Sequence, residues 1–242
     1  MKLALTSLAA LAAALSLAGC QKAEDAAFGQ RVRAYLLQHP EVIREAVNKL
    51  AENDRLAAAK AATQAMNKYR AQLERDPRDF VANPDGKVTV VEFFDYRCGY
   101  CKVAAPEVVK LIQENPDVRF VFKEFPIFGT VSDVAAKIAL TPAGKARGLD
   151  LYSRWMGEKA LDDAAVDRHL ASAGLDPAAV RKASTDPGIE RQILDTRALA
   201  TALKIDGTPA FIVGDTIIPG ADLSALKAAI TQAKAKDLKS PA

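Results

Sequence analysis

The chain has 242 residues, of which half are hydrophobic and about a quarter are charged, as is typical of a globular protein. Its 33 basic and 30 acidic residues are interspersed and give a formal charge of +3, which argues against a nucleic-acid-binding surface. The two histidines, His39 and His169, do not lie near a cysteine at metal-ligand spacing. The length allows one substantial domain with an appendage, or two small domains.

The first twenty residues are typical of an export signal. Lys2 is followed by the apolar run LALTSLAALAAALSLAG, which is shorter than the ~20 residues of a membrane-spanning helix and fits a signal peptide. The run ends in LAGC, which resembles the cleavage box of bacterial lipoproteins and implies cleavage before Cys20 and a lipid on its thiol. Gln21 then implies sorting to the outer membrane of a Gram-negative bacterium. An ordinary cleaved signal and an uncleaved anchor are the alternatives.

Lipidation of Cys20 accounts for the odd number of cysteines. Of the three in the chain, Cys98 and Cys101 then remain as the free thiols. An exported protein works where disulfides persist, so the expected location, the periplasm, suits redox chemistry at this pair.

Residues 20–79 are predicted to form a helical stalk. A short helix over Phe28–Gln38 is interrupted at His39-Pro40, and residues 41–75 contain no glycine or proline. Two apolar stripes recur at helical spacing: Ile43, Val47 and Leu50, and then Met66, Tyr69 and Leu73. A helix this long with apolar stripes favours oligomerisation, and a solvated spacer is the alternative.

The segment VTVVEFFDYRCGYCK, from Val88 to Lys102, places two cysteines between a strand and a helix. Its β-branched and aromatic residues predict a buried strand over residues 87–95, and the residues from Cys101 to Glu114 predict an amphipathic helix. One thiol then lies at a helix N-terminus, where backbone N–H groups and the helix dipole favour the thiolate. The pattern therefore indicates thiol–disulfide chemistry.

Glu92 interrupts this strand six residues before Cys98. A carboxylate beneath the two thiols is a candidate proton relay for the buried cysteine. The alternative is a strand residue that points to solvent.

The rest of the chain predicts an α/β fold with a helical insertion. A second strand covers residues 118–123, and Ser132 or Asp133 is expected to cap the next helix. Residues 143–204 read as helices, with Asp176 and Asp186 as N-caps. A hairpin with Gly-Asp at its tip follows Thr208-Pro209, and Asp222 caps a last helix.

The segments FFDYRCGYCK and GTPAFIVGD, about 110 residues apart, together resemble the DsbA-like branch of the thioredoxin superfamily. The resemblance implies a thioredoxin domain over residues 80–242 that carries the helical insertion. It also implies that Cys98 attacks a substrate disulfide, that Cys101 resolves the mixed disulfide, and that Thr208-Pro209 is a cis peptide bond.

Further site residues follow from the same resemblance. Glu92 matches the family's buried acid, with Lys123 or Glu124 as its partner. Gly99, Tyr100, Thr208 and Pro209 are expected to contact the substrate. The Cys98–Cys101 disulfide is the redox group, and neither a cofactor nor a metal is implied.

The segment FGQRVRAYLLQHPEVIREAV resembles the N-terminal region of ScsC-type proteins (suppressor of copper sensitivity, protein C). In that family the region serves as a trimerisation stalk. The resemblance therefore implies a homotrimer and a link to copper tolerance.

Tyr100 bears on the direction of the chemistry. Strongly oxidising members of the superfamily have a histidine directly before the second cysteine, and a phenol cannot supply positive charge to the Cys98 thiolate. A less stabilised thiolate means a less oxidising disulfide. The Gly-Tyr dipeptide and Thr208 resemble DsbC-type disulfide isomerases. The hypothesis is an oligomeric disulfide isomerase or reductase that acts on unfolded or misdisulfided exported proteins and is re-reduced by a membrane reductase.

Three alternatives remain open. The first is a monomeric dithiol oxidase. The second is a copper-handling protein that holds Cu(I) between Cys98 and Cys101, which two thiols without a nearby His or Met disfavour. The third, a non-catalytic lipoprotein, is disfavoured because both cysteines, Thr208 and Pro209 are intact.

Overall fold

The computed structural model describes residues 27–238. It divides the chain into two compact units, residues up to 60 and residues from 61 onward. The predicted signal peptide and lipidated Cys20 lie outside the described residues. Between residues 27 and 238, no helix has both the length and the apolar character needed to cross a membrane.

The described part of the first unit, residues 27–60, is helical. Helix α1 covers residues 27–38, and a bend at His39 and Pro40 separates it from α2, Glu41–Glu74, whose residues from 61 onward belong to the second unit. This break is the predicted one, because proline disfavours the α conformation in the residue before it. Leu36 and Val42 are half-buried. Eight other large apolar residues of this unit are between 39% and 67% exposed: Phe28, Val32, Tyr35, Leu37, Ile43, Val47, Leu50 and Leu56.

The second unit contains a five-stranded mixed sheet in the order β1-β3-β2-β4-β5. Its strands are β1 Phe80–Ala82, β2 Val88–Phe94, β3 Val118–Glu124, β4 Ala210–Val213 and β5 Thr216–Pro219. Strands β2 and β3 are parallel, and the other neighbouring pairs are antiparallel. Every residue of β2 is buried, as its uniformly apolar sequence predicts for a central strand.

Helices cover both faces of this sheet. They are α3 Gly99–Glu114, α4 Thr130–Ala139, α5 Pro142–Ala146, α6 Gly148–Gly157, α7 Asp163–Ser172, α8 Pro177–Ala183, α9 Pro187–Ala202 and α10 Leu223–Asp237. Helix α3 is the crossover between the parallel strands β2 and β3. The predicted α/β architecture with a helical insertion before the final hairpin is confirmed.

The two apolar stripes of the predicted stalk have different environments. Met66 and Leu73 of the second stripe are buried, and they pack with Val91 and Phe93 of β2 on one face of the sheet. The second stripe therefore belongs to the core of the catalytic unit. For this reason the compact unit begins at residue 61, before the predicted boundary at residue 79.

Three of the N-caps predicted from the sequence are present in the structure. Asp176, Asp186 and Asp222 each accept a hydrogen bond from the first turn of the following helix. The expected cap by Ser132 or Asp133 is wrong, because α4 begins three residues earlier. Its N-cap is Gly129, with φ of +93°, and this residue has no side chain to accept a bond.

A buried ion pair connects the end of α2 to the sheet. The Lys123 ammonium bonds to the carboxylate of Asp79 and to the backbone carbonyl of Gln72, near the C-terminal end of α2. The Gln192 amide of α9 donates to the same carboxylate at 3.0 Å. Both charged side chains are 2% exposed, so the loss of one partner would leave a buried charge without its counter-ion.

We expect Asp79→Ala to lower the free energy of unfolding by about 3–5 kcal/mol, because it leaves the Lys123 ammonium buried without a counter-charge. Adding Lys123→Met should recover much of that loss. As a control, Asp215→Ala removes the exposed ion pair with Arg70 and should cost less than about 1 kcal/mol. Denaturant unfolding followed by circular dichroism measures all three. Equal losses in the single and double variants would contradict the expectation.

Candidate active site

The two cysteines lie where β2 turns into α3. Cys98 is the N-cap residue of α3, and Cys101 lies in its first turn. The backbone N–H of Cys98 donates to the carbonyl of Asp95 at 3.1 Å, which closes the turn between strand and helix. Both cysteines are buried and have free thiols. Cys101 is 0% exposed and Cys98 is 2% exposed, and both pack in the core between the sheet and α3.

The loop before β4 faces the first cysteine. The Thr208–Pro209 peptide bond is cis. The carbonyl oxygen of Thr208 lies 3.1 Å from Cys98 Sγ and accepts a hydrogen bond from the thiol. The sheet pairing of β4 with β2 thus brings together residues 110 positions apart.

The two thiols have opposite pKa shifts. A hydrogen bond from Cys101, with smaller contributions from the Thr208 side chain and from backbone groups of Cys101 and Tyr100, lowers the pKa of Cys98 to about 5 against the opposing effect of burial. Burial, the same bond to Cys98 and the charge of Glu92 raise the pKa of Cys101 far above its ordinary value. At neutral pH the pair therefore holds one thiolate, which is the nucleophile, and one thiol, which must lose a proton before it can attack.

Glu92 lies on β2 beneath this pair and is fully buried. The hydroxyl of Tyr152, on α6, lies 3.1 Å from each carboxylate oxygen of Glu92 and donates to them. Burial raises the pKa of Glu92 to about 8, and the bond from Tyr152 offsets this only in part. A carboxyl group in this state can accept a proton near neutral pH, as a base for Cys101 must.

The expected partners of Glu92 are corrected. Register pairs Glu92 with Phe122, so Lys123 points to the opposite face of the sheet, where it binds Asp79. Glu124 is on the same face as Glu92, but it accepts a hydrogen bond from Tyr96. The hydrogen-bond partner of Glu92 is therefore Tyr152.

Asp95 holds the loops around the cysteines and was not identified from the sequence. One carboxylate oxygen accepts from the Ser132 hydroxyl and from the backbone N–H of Arg97, both at 2.7 Å. The other accepts from the N–H groups of Ile127 and Phe128. The only available signal was its place at the end of a buried strand, just before the cysteines. The side chain fixes the turn against the loop that follows β3.

An exposed apolar surface adjoins the turn. Tyr100 and Val103, in the first turn and a half of α3, are 71% and 68% exposed. Ile127 and Phe128 are also exposed, and Arg97 donates to the Phe128 carbonyl at 2.9 Å, which holds this loop against the turn. Gly99 lies between Cys98 and Tyr100 with open space around its Cα. The surface is suited to unfolded polypeptide, which exposes apolar side chains.

The histidines take no part in this arrangement. His39 pairs with Glu41 on the first unit, and His169 pairs with Glu158. Within residues 27–238, no three His, Cys, Asp or Glu side chains form a group that could hold a metal ion.

Comparison with known families matches two parts of the chain. The model of the DSBA-like thioredoxin domain matches residues 89–230. The model of the copper resistance protein ScsC N-terminal domain matches residues 24–57. The first match includes both cysteines, Glu92 and the cis Thr208–Pro209 bond.

Individual proteins similar to this chain include solved structures and a curated relative. BcfH of Salmonella enterica Typhimurium is 35% identical, with 85% of this chain and 94% of that chain covered and a TM-score of 0.68. ScsC of Proteus mirabilis in a transitional conformation is 30% identical, with 88% of this chain and 98% of that chain covered and a TM-score of 0.66. The thiol:disulfide interchange protein DsbA of Bordetella pertussis is 31% identical over 137 residues, or 53% of this chain.

The curated relatives are longer than the matched region. The chain spans 64% of the length of that DsbA and 29% of the length of the Na(+)/H(+) antiporter NhaA 3 of Salinispora tropica, to which it is 27% identical over 190 residues. The domain match covers more than half of the chain, and the site contains the paired cysteines that thiol–disulfide exchange requires. The chain therefore belongs to the DsbA-like thioredoxin family.

Proposed function

We propose that this chain is a periplasmic disulfide isomerase or reductase that acts on exported proteins as a homo-oligomer, with a trimer favoured. The observation that carries the proposal is the unequal pair of thiols beside the cis-proline loop. Cys98 has a pKa lowered to about 5 and lies beside the Thr208–Pro209 loop, and Cys101 is kept as a buried thiol above Glu92.

The first step is common to isomerisation and reduction. The Cys98 thiolate attacks one sulfur of a substrate disulfide, and a Cys98–substrate disulfide forms as the substrate disulfide breaks. The other substrate sulfur leaves as a thiolate and takes a proton from solvent. Backbone groups of Thr208 are placed to pair with an extended substrate segment, a β-augmentation mode of capture.

The second step decides between the two outcomes. In isomerisation, another substrate thiolate attacks the substrate sulfur of the mixed disulfide and releases Cys98 as a thiolate, with no net transfer of electrons. In reduction, Cys101 gives its proton to Glu92 and attacks Cys98. The Cys98–Cys101 disulfide forms, the substrate sulfur leaves as a thiolate and takes a proton from solvent, and two electrons have passed to the substrate. A membrane reductase then returns two electrons to the pair.

The N-terminal unit supports the oligomer. Its helices expose an apolar series that includes Val32, Ile43, Val47 and Leu50, and the ScsC N-terminal model matches this region. Exposed apolar helix faces of this kind are buried in coiled-coil assemblies. Several copies then present several Cys98 thiolates to one misfolded substrate, while a lipid on Cys20 tethers the assembly to the outer membrane.

A dithiol oxidase is the second candidate. It is favoured by the pKa of Cys98 of about 5, because a stabilised thiolate makes the disulfide more oxidising. In this case the Cys98–Cys101 disulfide would pass to reduced substrate proteins, and a single copy of the chain would suffice.

The redox state in cells separates the two candidates. We expect thiol trapping of growing cells to find Cys98 and Cys101 mostly reduced, because an isomerase needs a free Cys98 thiolate. Chemically reduced and oxidised samples of the Cys98→Ser variant give the reference positions for Cys101 alone. A pair found mostly oxidised would support the oxidase and contradict the isomerase.

The source of the low pKa of Cys98 can be tested with two substitutions of its neighbour. Cys101→Ala removes the hydrogen bond to the thiolate and should raise the pKa of Cys98 by roughly one unit. Cys101→Ser keeps a donor and should leave the pKa close to that of the wild type, about 5. The ultraviolet absorbance of the thiolate as a function of pH measures both. Identical titrations of the alanine and serine variants would show that Cys101 is not the source.

The role of the stalk can be tested in the full-length protein. Val47→Glu places a charge in the exposed apolar series, and Asn48→Glu places the same charge on another side of the same helix. We expect Val47→Glu to give monomers that have lost most refolding of scrambled ribonuclease but still exchange disulfides with glutathione at Cys98. Asn48→Glu should behave like the wild type. Full isomerase activity in a monomeric Val47→Glu protein, established by light scattering, would contradict the proposal.

A further inference from the structure

A second buried carboxyl group lies on the same face of the sheet as Glu92. Glu124 ends β3, and its Oε1 accepts a hydrogen bond from the Tyr96 hydroxyl at 2.8 Å. Its Oε2 is buried and has no hydrogen-bond partner among the described residues. Because an unpaired buried polar atom is costly, this oxygen points to a partner that the protein side chains do not supply.

A small cavity adjoins this carboxyl group. It measures about 10 Å³, and both Glu124 and Tyr152 line it, together with Tyr96. That is about the space that one water molecule needs. Tyr152 is also the residue whose hydroxyl donates to both oxygens of Glu92. One water in the cavity would therefore join the two buried acids through a single phenol.

The surroundings of Glu124 fix its protonation. Burial, together with the negative charges of Asp95, Glu92 and Asp79, holds the pKa of Glu124 well above its ordinary value, against the opposing hydrogen bond from Tyr96. Lys123, the adjacent residue, is on the opposite face of the sheet and pairs with Asp79. Burial and these charges favour the neutral acid, and a protonated Glu124 would carry its proton on the second oxygen and act as a donor.

We propose that Glu124 is a positioning residue at the start of a chain of donors that runs through the cavity water and Tyr152 to Glu92, and that it sets the pH at which Glu92 accepts the proton of Cys101. The inference rests on the proposed function, in which Cys101 resolves a mixed disulfide. Every hydrogen bond in the chain is donated in the same direction. Tyr96 donates to Glu124, Glu124 donates to the water, the water donates to Tyr152, and Tyr152 donates to Glu92.

The proton balance of the step is simple. As the Cys101 sulfur attacks Cys98, the Cys101 proton moves to Glu92, the Cys98–Cys101 bond forms and the bond to the substrate sulfur breaks. Glu124 keeps its proton throughout. Its contribution is to strengthen the hydrogen bond that Tyr152 makes to ionised Glu92, because linked hydrogen bonds polarise one another.

Two variants of Glu124 separate this role from a structural one. Glu124→Leu removes the donor, and Glu124→Gln keeps an N–H donor at the same place. The measurement is the rate at which Cys101 releases glutathione from a Cys98–glutathione disulfide, as a function of pH. For Glu124→Leu we expect a rate at pH 7 roughly threefold to tenfold lower, with the profile displaced to higher pH and the same plateau. Glu124→Gln should keep the wild-type profile.

A second measurement does not depend on the stability of the leucine variant. The difference between the infrared spectra of the wild type and of Glu124→Gln at pH 7 should contain a carboxylic acid band, because the band of Glu92 is present in both proteins and cancels. Absence of that band would mean that Glu124 is ionised, and the inference would be wrong.

The remaining outcomes distinguish this inference from the proposed function. An unchanged pH profile in Glu124→Leu, or the same uniform loss of rate in both variants, would overturn the role of Glu124 alone. If Glu92→Gln leaves the profile of the wild type unchanged, proton transfer to Glu92 does not occur, and the proposed reduction step fails together with the inference.

Discussion

The site depends on two cysteine sulfurs that are close together but lie in different environments. Cys98 is the N-cap of α3, and Cys101 lies one turn further into the helix and above Glu92. The hydrogen bond between them lowers the pKa of the first thiol and raises that of the second. Asp95 keeps this geometry fixed, because its four hydrogen bonds join the turn to the loop after β3 and to α4. Because of this difference in pKa, Cys98 is the cysteine that can attack first and Cys101 the one that must first lose a proton.

Successive side chains of β3 point to opposite faces of the sheet, and the buried acids on the two faces have different partners. Lys123 and Glu124 are adjacent in sequence and point to opposite faces of the sheet. On one face an ammonium group neutralises Asp79, so that acid forms an ion pair that holds the end of α2. On the other face the hydrogen-bond partners of Glu92 and Glu124 are phenols. A phenol can stabilise a carboxylate without fixing its charge, which leaves these acids able to hold or to accept a proton.

Features determined by residues close together in the sequence were predicted, and contacts between residues far apart in the sequence were not. The strand before Cys98, the break at Pro40 and three N-caps were predictable because the responsible residues are neighbours in the chain. The partner of Glu92 was not, because Tyr152 is 60 residues away in a helical stretch where it resembles any other core residue. The two stripes of α2 show the same limit: Val47 and Met66 lie in stripes with the same helical spacing, and only tertiary packing distinguishes the exposed residue from the buried one.

In the proposed function, the direction of catalysis depends on more than the two thiols. The low pKa of Cys98 arises from Cys101, Thr208 and backbone groups of α3, which act whether or not a histidine precedes Cys101. Tyr100 is largely exposed, so its effect is on the apolar surface as well as on the charge near the thiolate. The thiol pair is therefore chemically able to oxidise, reduce or isomerise. Isomerisation is distinguished by a mixed disulfide that lasts until a second substrate thiol attacks, and holding one substrate among several copies favours that outcome.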